Sequence, residues 1–279
     1  MTRLLRFRHD GLTFDVRDEG PLGGDPVVLL HGFPERNTCW RDVAPLLHAE
    51  GFRTYAPDQR GYSPGARPPR RRDYTMHKLE EDVVALIETI GPPVHLVGHD
   101  WGSNSGWLVS AHRPELVRTW TAVSVPHPAA FRKAIFSTRQ LFSSWYMAAF
   151  QVPGVPERLA AKPGGRFDKS LRHGGMTRED VERFRREVVD YGALPHALNW
   201  YRAMPFTRQR DLAAKVSVPT TLLWSDDDIA VKRMSVARCH EHVTGPFELR
   251  VLEGVSHWIP THAPQAVADA VLSRIGSLA

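Results

Sequence analysis

The sequence is poor in cysteine and has no long apolar run, and each shortage excludes a class of protein. Only two cysteines, Cys39 and Cys239, occur in 279 residues, far apart in the chain, so neither a disulfide framework nor a zinc module is expected. No stretch approaches the roughly 18 apolar residues of a membrane-spanning helix. Residues 1–11 lack the apolar segment of a signal peptide. We therefore expect a cytoplasmic protein without a membrane partner.

The chain also lacks a large excess of charge of one sign. Its 36 basic residues are set against 31 acidic ones, which leaves a formal net charge of +5. Prolines interrupt the densest basic group, and no aromatic residues alternate with its arginines, a pattern that favours a solvated loop over a phosphate-binding surface. No nucleic-acid partner is expected. The arginines of this group are Arg67, Arg70, Arg71 and Arg72.

Apolar runs of strand length alternate with helical periodicity through most of the sequence. This alternation predicts an α/β fold with a mostly parallel sheet and helices on both faces, preceded by a hairpin around Asp10 and Gly11. The predicted strands cover residues 4–8, 12–17, 27–30, 52–56, 93–97, 119–125, 220–224 and 247–252. The predicted helices cover residues 41–50, 78–90, 101–112, 234–242 and 263–275.

The alternation stops between residues 127 and 206, where the pattern becomes helical and rich in aromatic residues. We predict a core domain made of residues 1–126 and 207–279, with a helical cap of residues 127–206 inserted in it. Ligands of open parallel sheets bind at the carboxyl ends of the strands. The cap is expected to cover that edge.

The segment Gly98-His99-Asp100-Trp101-Gly102 follows a predicted strand and precedes a predicted helix. A strand, a sharp turn between small residues and a helix are typical of a nucleophile elbow. Most such elbows have serine at the centre, where this chain has Asp100. The alternative is a simple turn in which Asp100 caps the helix.

Acidic residues and a histidine follow the last two predicted strands. Asp226, Asp227 and Asp228 come after one, and His257 comes after the other. An aspartate run is often only a solvated loop and a single histidine is often structural, but the order nucleophile, acid, histidine is that of the α/β-hydrolase fold. In that arrangement the backbone N–H groups of Phe33 and Trp101 form the oxyanion hole.

An aspartate nucleophile restricts the chemistry. Attack of Asp100 on a carboxylic ester would give an anhydride, whereas attack on a saturated carbon gives an ester that water can hydrolyse. The substrate should therefore carry a leaving group on an sp³ carbon. His257 would activate water in the second half of the reaction. No cofactor and no metal ion are needed for these steps.

Four motifs together resemble the soluble epoxide hydrolases of the α/β-hydrolase family. They are His31-Gly32-Phe33-Pro34-Glu35, Asp58-Gln59-Arg60-Gly61-Tyr62-Ser63, Gly98-His99-Asp100-Trp101-Gly102 and Ser256-His257-Trp258. Haloalkane dehalogenases share the aspartate elbow but usually have Asn at the position of Phe33, and fluoroacetate dehalogenases typically have Arg at that of Trp101. A haloalkane or haloacid dehalogenase remains the alternative, followed by a non-catalytic ligand receptor. Epoxide and water are the expected small-molecule partners.

The resemblance also implies two proton donors and one acid. Tyr146 and Tyr201 match the two cap tyrosines that hydrogen-bond to the epoxide oxygen in the family, although both could instead be packing residues. Asp228 matches the acid that orients the histidine, with Asp226 as the second choice. The sequence is compatible with a monomer or a homodimer. The segment Cys239-His240-Glu241-His242 is predicted to be a surface helix and not a metal site.

Overall fold

A single eight-stranded sheet organises the chain. The computed structural model describes residues 2–137, 145–208 and 211–278. Its strands are β1 Arg6–His9, β2 Leu12–Glu19, β3 Pro26–Leu30, β4 Arg53–Pro57, β5 Val94–His99, β6 Val117–Val123, β7 Thr220–Ser225 and β8 Phe247–Leu252. The strand order is β1-β2-β4-β3-β5-β6-β7-β8. The pairs β1/β2 and β2/β4 are antiparallel and all other neighbours are parallel. The predicted mostly parallel sheet is confirmed.

Helices follow most of the strands. The α-helices are α1 Ala44–Ala49, α2 Met76–Ile90, α3 Trp101–His112, α4 Pro128–Ser137, α5 Trp145–Ala149, α6 Val155–Ala161, α7 Arg166–His173, α8 Arg178–Phe184, α9 Leu194–Ala197, α10 Asn199–Arg202, α11 Arg233–Ala237, α12 Ile259–His262 and α13 Pro264–Gly276. A π-helical turn spans Arg185–Val189. Short 3₁₀ helices span Asn37–Trp40, Pro64–Ala66, Arg71–Tyr74, Pro114–Leu116, Met204–Phe206, Asp211–Ala213 and Cys239–His242.

Both faces of the sheet are covered by apolar helix faces. In α2 the buried residues Leu79, Val83 and Leu86 recur at helical spacing, which gives the helix one apolar side. Val83 and Leu86 on that side belong to a core cluster with Trp107 of α3 on one face of the sheet, whereas Leu79 packs in a separate cluster with Trp101. A second cluster on the other face joins residues of α1 and α13 to the sheet. The strands between these clusters, such as β5, are buried along their whole length.

All of the regular secondary structure that is described between β6 and β7 is helical. This part of the chain, α4 to α10 with the 3₁₀ helix after it, is called the helical segment below. A third apolar cluster joins Trp200 and Tyr201 of the helical segment to Phe33 and Trp101. Phe33 follows β3, and Trp101 is the first residue of α3. The predicted cap range, 127–206, includes residues 138–144, which lie outside the described residues.

The predicted surface helix at residues 239–242 is wrong in part. This stretch is a 3₁₀ helix in which Cys239 and His242 are buried, and the His242 ring stacks on the His127 ring at a centroid distance of 4.7 Å. A 3₁₀ helix has three residues per turn, so positions 239 and 242 face the same way, here inward. None of the described helices combines the length and the apolar character that crossing a bilayer requires.

Candidate active site

Asp100 occupies the turn between β5 and α3 with an unusual backbone. Its φ of 51° and ψ of −116° lie outside the ordinary range of residues other than glycine. A Cβ on Gly102 would lie 2.2 Å from the carbonyl oxygen of Leu30, and one on Gly98 would lie 2.5 Å from that of Gly102. Only glycine fits at either position, which explains the small residues of the motif. Asp100 is therefore held at the carboxyl end of the central strand β5.

Each carboxylate oxygen of Asp100 has its own neighbour. The backbone N–H of Phe33, just past β3, donates to Oδ1 at 2.7 Å. Oδ2 lies 3.6 Å from Nε2 of His257. Burial by itself raises the pKa of Asp100, but the interactions with His257, together with smaller ones with His99 and the N–H of Phe33, keep that pKa below its usual value. Among the described residues, no hydrogen bond joins the N–H of Trp101 to Asp100.

His257, just past β8, lies between two carboxylates. Its Nδ1 is 2.7 Å from Oδ2 of Asp228, the residue that follows β7 by a short loop. The backbone N–H groups of Ala230 and Val231 donate to Oδ1 of Asp228 and fix its orientation. Burial acts to lower the pKa of His257, but the charges of Asp228 and Asp100 raise it to about 10. The imidazole is therefore protonated as long as both carboxylates are ionised.

The geometry separates the two candidate acids. Asp226 is exposed, and its Oδ1 accepts a hydrogen bond of 2.9 Å from the backbone N–H of Gly254. Asp228 is 1% exposed and contacts His257. The structure thus places Asp228, the acid favoured by the sequence, beside His257, and it places Asp226 in contact with the backbone of the loop at Gly254.

The two tyrosines named from the sequence lie together beside Asp100. The rings of Tyr146 and Tyr201 are 5.9 Å apart in an edge-to-face arrangement. The Tyr201 ring packs at 5.2 Å against Phe33 and at 5.0 Å against Trp101. Burial, together with the negative charge of Asp100, raises the pKa of both hydroxyl groups, so both keep their protons and can donate.

A cavity of about 120 Å³ contains these groups. Its wall is largely apolar, with few polar side chains, as is usual for sites that bind small organic molecules. The volume is below the roughly 300–1,000 Å³ common for such sites. The lining residues are Met76, Asp100, Trp101, Asn104, Val125, Pro128, Phe131, Arg132, Tyr146, Met147, Tyr201, Met204, Thr207, Leu212, Ala230 and Val231.

Sequence reasoning missed two buried titratable residues beside the histidine. Nε2 of His99 contacts the carbonyl oxygen of His257 at 3.0 Å, and Nδ1 of His99 lies 3.8 Å from Oε2 of Glu35. Neither Nδ1 nor Oε2 has a hydrogen-bond partner among the described residues. Burial and the charge of Asp180 raise the pKa of Glu35 to about 8, while burial and the charge of His257 lower that of His99 to about 4. Glu35 lies in the motif His31–Glu35 and His99 in the motif Gly98–Gly102. Membership of these motifs is the sequence feature that could have pointed to the two residues.

The described part of the chain holds no group of three or more His, Cys, Asp or Glu side chains placed to bind a metal ion. The densest basic group is exposed at Arg70, Arg71 and Arg72. Arg67 instead donates hydrogen bonds to the carbonyl oxygens of Tyr62 and Tyr191.

Comparison with known proteins agrees with this geometry. The family described as "Alpha/beta hydrolase family" matches residues 27–270, which include the Asp100 elbow and His257. The chain belongs to the alpha/beta hydrolase family. The fold class expected from the order of Asp100, Asp228 and His257 is thereby confirmed.

Individual relatives and solved structures show which proteins of this family the chain resembles. An "AB hydrolase superfamily protein YfhM" of Bacillus subtilis is 34% identical over 278 residues, 95% of each chain. "Epoxide hydrolase 3" of Xenopus tropicalis is 34% identical over 275 residues, 94% of this chain and 74% of the relative. The solved structure of epoxide hydrolase A from Mycobacterium thermoresistibile superposes with a TM-score of 0.83 at 26% identity, with 97% of each chain covered. The resemblance to epoxide hydrolases is confirmed.

Proposed function

We propose that this protein is an epoxide hydrolase that converts an epoxide to a vicinal diol through a covalent ester on Asp100. One observation carries the proposal. A carboxylate that is only 13% exposed, on a strained turn, has one oxygen bound to the N–H of Phe33, and two tyrosine hydroxyl groups share its cavity. This combination provides a nucleophile for carbon and proton donors for the ring oxygen.

The first half-reaction opens the ring. Oδ1 of Asp100 is held by Phe33, so Oδ2 is the oxygen that attacks the epoxide carbon. The Oδ2–carbon bond forms while the carbon–oxygen bond of the ring breaks, and its electron pair stays on the ring oxygen. Tyr146 and Tyr201 donate hydrogen bonds to this oxygen, and a proton neutralises the alkoxide. The raised pKa of each tyrosine keeps the donor proton available and matches the strongly basic alkoxide.

The same step converts His257 into a base. Ester formation removes the negative charge of Asp100, which is one of the causes of the raised pKa of His257. The imidazolium then loses its proton more readily, and this loss balances the proton gained by the alkoxide. Neutral His257, oriented by Asp228, is available for the second half-reaction.

The second half-reaction hydrolyses the ester. His257 takes a proton from water as the water oxygen attacks Cγ of Asp100. The negative charge that develops on Oδ1 is stabilised by the N–H of Phe33, already 2.7 Å away, and by that of Trp101. The carbonyl bond to Oδ1 then re-forms as the bond from Cγ to Oδ2 breaks, and the remaining proton of the attacking water passes to the leaving oxygen. The diol leaves, and Asp100 is again a carboxylate beside a protonated His257.

The helical segment acts in this proposal as a cap domain, residues 127–206, because it supplies Tyr146 and Tyr201 to a site on the strand ends. Cys39 and Cys239 are both buried free thiols, which supports a reducing cytoplasm. We propose that the enzyme acts there as a monomer or homodimer, without a metal, a cofactor, a nucleic acid or a membrane partner.

A single turnover in ¹⁸O-labelled water tests the function. With enzyme in excess over a small terminal epoxide, we expect an unlabelled diol and a labelled oxygen in Asp100, because the attacking oxygen comes from the enzyme. Label in the diol of the first turnover would contradict the covalent step. Halide release from matched haloalkanes in place of diol formation would instead identify a dehalogenase.

A further inference from the structure

The loop that carries His257 is bound to the helical segment on both sides of the histidine. Before it, the side chain of Ser256 contacts His262, and His262 contacts Asp180 of α8. After it, the indole N–H of Trp258 donates to the carbonyl oxygen of Gly174 at 2.9 Å. Among the described contacts, no hydrogen bond joins His257 to Asp180 or Gly174. The helical segment thus binds the two chain neighbours of His257, while its imidazole faces Asp100.

The contacts before the histidine form a continuous chain of hydrogen bonds. Oγ of Ser256 lies 2.8 Å from Nδ1 of His262, and Nε2 of His262 lies 2.8 Å from Oδ2 of Asp180. A carboxylate only accepts, so Nε2 of His262 donates to Asp180, and Nδ1 of the same ring shares a hydrogen bond with the Ser256 hydroxyl. The same hydroxyl oxygen lies 3.4 Å from the backbone N of Trp258. The chain therefore spans both sides of His257.

Steric contact reinforces these hydrogen bonds. Gly175 has a φ of 95°, and a Cβ at this position would lie 2.3 Å from Cβ of Ser256. The turn between α7 and α8 thus lies directly against Ser256. A small apolar cluster of Met176, Val181 and Trp258 fills the space beside it.

We propose that His262 and Ser256 are positioning residues through which the helical segment, by way of Asp180, holds the His257 loop in register with Asp100. The proposal rests on the function proposed above, because it concerns the base of the second half-reaction. The distance from Nε2 of His257 to Oδ2 of Asp100 is 3.6 Å, and a small shift of the loop would misplace the base. Ring opening does not use this base and should be insensitive to such a shift.

Rapid-quench single turnovers of Ser256→Ala and His262→Phe test this directly. Intact mass of the quenched enzyme follows the ester as it forms and decays, which separates the rate of ring opening from that of hydrolysis. We expect hydrolysis to be about tenfold slower in each variant and ring opening to stay within about twofold of the wild type. The double variant should be no slower than either single variant, because both substitutions break one chain.

Thr38→Val is the matched control. Thr38 also contacts the helical segment, through Glu187, but in the described part of the chain its side chain has no hydrogen bond to Ser256, His257 or His262. This variant should leave both rates within about twofold. The proposal is overturned if the Ser256 and His262 variants slow both steps equally, if their effects add, or if hydrolysis is unchanged in a variant whose melting temperature shows it to be folded. An ester that never forms in the wild type would instead refute the proposed function.

Discussion

Nδ1 of His257 lies 2.7 Å from Oδ2 of Asp228, a carboxylate that two backbone N–H groups hold in place. This contact fixes the histidine with Nε2 directed at Asp100. An acceptor at Nδ1 also decides which nitrogen can act on water, because the Nδ1 proton is committed to the carboxylate. The identity of the acid is therefore open to a direct test.

Asp228→Asn should lower kcat/KM by roughly 10²–10⁴-fold, the range expected when a general base is lost. The amide is close in shape to the carboxylate, but it no longer stabilises the imidazolium and it can offer a donor where an acceptor is needed. Steady-state diol formation measures the loss.

Asp226→Asn is the paired control, since Asp226 is exposed and, in the described contacts, its carboxylate binds only the backbone N–H of Gly254. Its kcat/KM should stay within about twofold of the wild type. If the two variants exchanged these results, Asp226 would be the orienting acid.

The pKa of His257 should fall when Asp100 loses its charge. Asp100→Asn imitates the neutral ester, and it removes an ion pair that helps to raise the pKa of His257 to about 10. We expect a decrease of more than about one unit, equivalent to about 1.4 kcal/mol of lost charge interaction. Titration of the His257 imidazole by NMR measures it, and an unchanged pKa would contradict the proposed conversion of His257 into a base.

The same raised pKa predicts how stability depends on pH. The unfolded chain has the ordinary histidine value of 6.5, and the folded chain holds its proton up to about pH 10. The folded state therefore binds more protons between these values, and the stabilisation is complete below pH 6.5 and is lost as the pH rises towards 10. Urea unfolding at a series of pH values should show this decrease, and Asp100→Asn should show a smaller one.

Tyr146→Phe and Tyr201→Phe should each slow ring opening by about 10–100-fold, because each removes one donor to the developing alkoxide. The double variant should lose nearly all activity. Rapid-quench ester formation measures the effect, and the rate of ester hydrolysis should change much less.

Tyr191→Phe serves as the control for the loss of a phenol. The Tyr191 ring stacks with the guanidinium groups of Arg36 and Arg67 and is not among the residues that line the cavity. Its ring-opening rate should match the wild type. Equal rates in all three tyrosine variants would show that neither cavity tyrosine assists the leaving oxygen.

Local sequence was sufficient for the parts of the site that lie at strand ends. The turn at Asp100 needs glycine on both sides for steric reasons that a motif records, and the positions of Asp228 and His257 follow from strand order. Local sequence did not predict which side chains are exposed to solvent and which are buried. Residues 239–242 are predicted to form a surface helix, but tertiary packing buries Cys239 and His242.

Contacts between distant parts of the chain were beyond the sequence. Arg183 of the helical segment donates to Oε1 of Glu35 at 2.6 Å, and Asp180 meets His262. Nothing in the spacing of these residues predicts either pair, since each depends on how the helical segment sits on the sheet. The sequence motifs contained Glu35 and His99 but offered no chemical reason to select them.

The hydrogen bond from the N–H of Phe33 to Oδ1 makes the two oxygens of Asp100 chemically distinct. In the proposed catalytic cycle Oδ2 leaves as part of the diol and a water oxygen replaces it, whereas Oδ1 keeps its hydrogen bond to the N–H of Phe33. If the carboxylate does not rotate between cycles, Oδ1 is never exchanged however long the enzyme works. Oδ1 of Asp100 would then be the oxygen incorporated when the protein was synthesised, whereas Oδ2 would come from solvent water in every cycle after the first.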